Sequence, residues 1–171
     1  MKTKDQNLQD RISVLEKVII SVSEIHSGTV NENHKAFLET IIGAALFYVS
    51  NSKELYSGFI SKSGWDYLMA GGIKLSKEHG YPRKIGSRRL LETQCQSFHL
   101  TGQSLMELYT QEYGRYNLVL PAENHALRKY QKATRFTDMA TAYNLANIEL
   151  IEKSLEEIYA VIKANKKNQE K

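Results

Sequence analysis

Residues 121–163 read PAENHALRKYQKATRFTDMATAYNLANIELIEKSLEEIYAVIK, and the reading of this stretch decides the fold. It opens on Pro121, and neither Pro nor Gly occurs after it. Proline suits the first helical position, because the N–H it lacks would be unpaired there anyway. Glu123 falls in the first turn, where exposed amides and the helix dipole favour a negative charge. Apolar residues then recur at Leu127, Tyr130, Ala133, Phe136, Ala140, Tyr143, Ala146 or Asn147, Leu150, Ser154 or Leu155, Ile158 and Ile162. Steps of three and four keep such residues on one side of a helix. The spacing predicts a single long helix from Pro121 to about Lys163, with other helices packed along its stripe.

Earlier segments supply those helices. Leu8, Ile12, Leu15, Ile19 and Val22 step by three and four across 5–26, and Val14, Val18 and Ile25 widen the stripe. Ser27-Gly28 ends this helix, glycine being the usual residue where the chain turns left-handed. A capping-box spacing at Thr29 to Glu32 opens a second helix at about 31–50. Its core face is expected to carry Phe37, Leu38, Ile41, Ala44, Ala45, Phe47 and Tyr48. The small residues Gly43-Ala44-Ala45 leave room for a neighbouring helix to come close. A short helix through Leu55, Tyr56, Phe59 and Ile60 is expected next, then one from Trp65 to His79. Gly71-Gly72 either breaks the latter or lies under something packed on bare backbone, since interior glycines cost about 1 kcal/mol each. Gly80 to Gly86 reads as a loop, 87–111 as helix with a weak point at Gly102, and Glu112 to Leu120 as irregular. No period-two pattern persists, so the expected fold is all-α: one domain spanning 1–171, a bundle of five or six helices, frayed at about 1–4 and 165–171.

Composition bounds the function. The chain has 171 residues, 42% hydrophobic and 25% charged, enough for a buried core and typical of a globular protein. A lone Cys95 excludes an internal disulfide framework. The longest apolar run, Ile41 to Val49, is well short of the roughly 20 residues that span a bilayer. No membrane span and a cytoplasmic location are the expectation. A net charge of +4 raises the question of acidic partners without answering it.

Basic residues form the one conspicuous constellation. Lys74, Lys77, Arg83, Lys84, Arg88 and Arg89 lie within sixteen residues, with Glu78 the one acid among them. Arg128, Lys129, Lys132 and Arg135 form a second cluster, and 128, 132 and 135 would share a helix face. Arginine and lysine neutralise phosphates, and the nearby Tyr81 and Tyr130 could stack on bases, so a nucleic-acid surface would use this composition. A solvated basic face, balanced by Glu149, Glu152, Glu156 and Glu157, would use it equally. Tyr109, Tyr113 and Tyr116, with Arg115 between them, are of the types enriched at protein interfaces, though tyrosine also fills core edges.

Enzymatic signatures are missing. There is no Gly-x-Ser-x-Gly elbow, and the Gly80 to Gly86 loop lacks the lysine of a phosphate-binding loop. His79, beside Arg83 and Lys84, is the one candidate acid or base. Cys95 and His99 could share a metal ion, but a structural site needs four ligands and the usual paired spacings are absent. No cofactor and no metal are expected. The charge segregation along 128–171 suggests antiparallel pairing of two copies. The expected function is therefore a non-enzymatic interaction protein (adaptor, chaperone or regulator) that self-associates, with nucleic-acid binding through 83–89 and 128–135 as the alternative.

Overall fold

The computed structural model describes residues 4–49, 53–94, 105–132 and 135–170. Within them a four-stranded mixed sheet replaces part of the expected helices. Strands β1 (Tyr56–Ser61), β2 (Ser76–His79), β3 (Tyr116–Val119) and β4 (Leu150–Glu152) lie in the order β2-β3-β1-β4. The central pair, β1 and β3, is parallel, while β2 and β4 are antiparallel edges. The all-α bundle is thus corrected to a mixed α/β fold. Its strands are only three to six residues long, too short for a period-two pattern to persist, and β3 is covered on both faces.

The single long helix is corrected with it. Residues 121–163 divide into α6 (Pro121–Leu127), turns, α7 (Met139–Leu145), β4, and most of α8 (Leu155–Gln169). Their apolar stripe is shared between opposite faces of the sheet. On one face Val119, Leu127, Ala142, Tyr143 and Ile148 form a core with Tyr130, Phe136 and Leu150. On the other, Ile60, Leu68 and Ile158 pack with Leu118, Ile151 and Ile162. Leu118/Val119 and Leu150/Ile151 are adjacent residues pointing to opposite sides, as a strand requires. The chain passes from one face to the other at β4, which is why steps of three and four survived across a region that is not one helix.

The chain divides into two compact units. The helical unit comprises Met1–Leu55 and Tyr81–Arg115, and the sheet unit Tyr56–Gly80 and Tyr116–Lys171. The helical unit contains α1 (Lys4–Gly28), α2 (Glu32–Val49), α4 (Arg83–Arg89) running into a widened π turn at Leu90–Gln94, and α5 (Leu105–Leu108) running into a second at Tyr109–Tyr113. Ile12, Leu15, Ile19, Ile42, Leu46, Leu90, Leu91, Leu105 and Leu108 are buried in it.

In the sheet unit, α3 (Lys62–Met69) ends short of the two glycines, and Gly71 turns the chain with φ +96°. Asn165 donates to the carbonyls of Leu68 at 2.7 Å and Gly72 at 2.8 Å, and Gln169 to that of Gly71 at 3.0 Å. These bonds tie the end of α8 to the turn that follows α3, where the Leu68 carbonyl also accepts from Gly71 N–H at 3.0 Å. Residues 165–169, expected to fray, are therefore the last turns of α8. No described helix is long and apolar enough to cross a membrane.

Candidate functional site

Helix α2 has two faces with different work to do. The Asn31 side chain caps it, accepting from Asn33 N–H at 2.9 Å and His34 N–H at 3.3 Å, in place of the expected Thr29. From Ala36 to Val49 the only charged residue is Glu39, and it is 1% exposed. Buried on the same side are Ile42, Gly43, Leu46 and Val49. The solvent-exposed positions are Phe37, Thr40, Ile41, Ala44, Phe47 and Tyr48. This corrects the expected core face. A helix apolar nearly all round offers no phase to read, and the charge that should have marked the outside is turned inward.

The outer face of α2 is apolar and contributes no charge of its own; the Arg83 guanidinium of α4 lies over Phe47 at its edge. Phe37 is 64% exposed, Ile41 42% and Tyr48 76%. With Ala44 they are spaced four, three, four, the repeat of a helix–helix seam. Helix α1 repeats the spacing in Val14, Val18, Ser21 and Ile25, all exposed.

The inner face carries a buried ionic cluster. Glu39 Oε1 accepts from Arg88 Nε at 2.7 Å and Oε2 from Nη2 at 3.1 Å. His26, in the last turn of α1, is 3% exposed, and its Nε2 lies 3.7 Å from Glu39 Oε1. That is too long for a hydrogen bond, and Nε2 has no hydrogen-bond partner among the described residues. Glu92 is exposed in the π turn, and one ligand atom each from His26, Glu39 and Glu92 fall within 4.8 Å of one another. Turns of this type re-aim side chains and recur at functional sites. Helix α4 reaches α2 over Gly43, where a Cβ would sit 3.3 Å from the Arg83 carbonyl oxygen. The small patch does admit a close neighbour.

The sheet unit holds a second buried polar set, directed along a line. Ser57 Oγ donates to Asn117 Oδ1, Asn117 Nδ2 donates to Tyr143 Oη at 2.8 Å, and Tyr143 Oη donates to Glu78 Oε2. Gln131 Nε2 donates to Glu78 Oε1 at 2.5 Å. Register places Glu78 opposite Asn117 on neighbouring strands. Burial pushes the Glu78 carboxyl above its usual range, and the bonds from Tyr143 and Gln131 offset part of this. Burial, then the Glu78 charge, pushes the Tyr143 hydroxyl up as well. Both Glu78 oxygens are hydrogen-bonded, so the set reads as a locked strut under α7.

The residues singled out from sequence fall on both units. In the helical unit Arg88 is committed to Glu39. Arg89 donates to Tyr81 Oη and lies 3.8 Å from Glu112. Arg83 stacks over Phe47 at 3.5 Å, with burial holding its pKa below the usual value. Lys84 is exposed. In the sheet unit Lys74 is exposed and Lys77 sits 4.4 Å over the Tyr116 ring. Arg128, Lys129, Lys132 and Arg135 are exposed in turns after α6, so the shared helix face expected of 128, 132 and 135 does not exist. Lys129 lies 4.6 Å over the Tyr130 ring. Tyr109, Tyr113 and Tyr116 are buried, at 1%, 7% and 2% exposure, and of that set Arg115 alone is displayed. His79 packs edge-on to Tyr116 at 6.0 Å. Cys95 and His99 lie outside the described residues. Sequence reading missed His26, Glu39 and Glu92, whose wide separation leaves no local signature. In comparisons with known proteins, the chain matches no family model, no curated protein and no solved structure.

Proposed function

We propose that the chain is a self-associating binding module in which the outer face of α2 packs against the same face of a second copy. The observation that carries this is the exposed, charge-free row Phe37, Ile41, Ala44 and Tyr48. Depletion of charge and enrichment in aromatics mark the centres of interfaces. The row is also self-complementary. Ala44 at its middle lets two helices approach, and larger side chains lie on either side. A two-fold axis between Ile41 and Ala44 sets Phe37 of one copy beside Tyr48 of the other and Ile41 beside Ala44.

The test is the mass in solution. Light scattering after gel filtration should give twice the 19.5 kDa chain. The double variant Phe37→Glu with Tyr48→Glu should give one chain with an unchanged circular dichroism spectrum. A wild type of single-chain mass at the highest soluble concentration refutes the reading.

A second reading rests on a different observation. Arg128, Lys132 and Arg135 are exposed with no ion-pair partner among the described residues. Such a run can neutralise phosphates of a nucleic acid. Anisotropy titration of labelled DNA and RNA at several salt concentrations tests it. Lys132→Ala should weaken binding uniformly across sequences and lower the salt slope by about one unit. Absence of salt-dependent binding retires it.

A further inference from the structure

We infer that His26, Glu39 and Glu92 form a binding site for a divalent transition-metal ion, with Zn2+ the best match. Three helical segments supply one donor each: the last turn of α1, the middle of α2 and the π turn at Leu90–Gln94. Imidazole nitrogen with carboxylate oxygen is a donor set that zinc accepts, at metal–ligand distances of about 2.0–2.2 Å. Two donors at such distances in a tetrahedral site are about 3.3 Å apart. The 3.7 Å between His26 Nε2 and Glu39 Oε1 is close to that edge. A buried imidazole nitrogen facing a carboxylate, beyond hydrogen-bond reach and without another partner among the described residues, is the arrangement an intervening ion would produce.

Arg88 does not close the site. A carboxylate oxygen has two lone pairs, and the bond from Arg88 Nε occupies one on Glu39 Oε1, leaving the other for the ion. The two carboxylates outweigh the single guanidinium, so the cluster without metal carries net negative charge. The last turn of α1 adds to the attraction, since the C-terminal end of a helix favours a cation. Glu92 is on the surface, so its side chain can swing in to complete three protein ligands, and water takes the fourth position. The ion clasps α1, α2 and the π turn behind the face that α2 presents outward.

The test uses full-length protein stripped with a chelator and titrated with Zn2+ against a chromophoric competitor. Wild type should bind one ion per chain and gain thermal stability on binding. His26→Gln and Glu92→Gln should each weaken binding by about tenfold or more. Glu92 is exposed, so Glu92→Gln retains the fold and carries the test even if His26→Gln fails to fold. Binding below one ion per chain overturns the assignment. Undiminished affinity in Glu92→Gln, as would follow from a site on Cys95, overturns it as well.

Discussion

Arg88 holds Glu39 at two points, although the carboxylate is 2% exposed and the guanidinium side chain 42%. The pair is buried on one side only. Removing the arginine strands a charge inside the helical unit, which costs more than the pair itself contributes. Arg88→Ala should lower unfolding free energy by about 2 kcal/mol, less than for a fully buried pair because solvent screens the arginine side. Arg88→Lys keeps the charge but loses the second contact and should cost about 1 kcal/mol. Urea denaturation midpoints check both.

Gly43 sets the spacing of α2 and α4. A methyl group there meets the Arg83 carbonyl oxygen at 3.3 Å, so Gly43→Ala trades that crowding against better helix propensity and should be near neutral. Gly43→Val adds branches with nowhere to go and should cost about 1–3 kcal/mol. Thermal melts of the two variants give the comparison; equal melting temperatures would show that the two helices separate freely.

Ala44 tests the proposed interface without touching the core. It is exposed, so Ala44→Glu should change the stability of the single chain by less than about 0.5 kcal/mol. Two glutamates close to the axis, each set against Ile41 of the other copy, should nonetheless abolish the dimer. Sedimentation velocity reads the mass, and a dimer that survives this substitution places the contact elsewhere.

Glu78 should give the stability a recognisable pH dependence. Its carboxyl titrates above the usual 4.5 in the folded state, chiefly through burial. Between 4.5 and the raised folded value, the folded chain retains a proton that the unfolded chain has released, so stability falls as pH rises through that window. Glu78→Gln lacks the proton. The stability advantage of wild type over this variant should be largest below pH 4.5 and narrow toward neutrality. Denaturation midpoints at several pH values show it, and a constant gap would rule out the linkage.

How much of this was legible in the sequence depends on the segment. Helices α1 and α2 were readable almost to their ends, 5–26 against Lys4–Gly28 and 31–50 against Glu32–Val49, because each is long enough for its period to repeat. The closeness of another helix at Gly43 was readable too, since a missing side chain is a local fact. Which side of α2 faces inward was not. That is decided by Arg88, far along the chain, whose guanidinium makes a buried Glu39 tolerable. The strands were hidden for a related reason. Leu118 and Val119 are both apolar because both faces of β3 are covered, and a run of apolar residues does not announce its period. Tyr113 misled in the opposite direction: the enrichment of tyrosine at interfaces suggested display, whereas its ring packs edge-on to Tyr81 in the interior.

The strand order has a consequence for how the chain comes to be folded. β1 and β2 are synthesised first, yet they are not neighbours; each bonds to β3, and β4 bonds to β1. Until Tyr116–Val119 leaves the ribosome, two finished strands wait without a backbone partner, while the residues of the helical unit are already complete. The sheet can therefore begin to close only late, with β3 as its keystone and β4 joining β1 last. A chain stopped anywhere between Gly80 and Arg115 carries both bare edges, and bare edges recruit strands from other molecules.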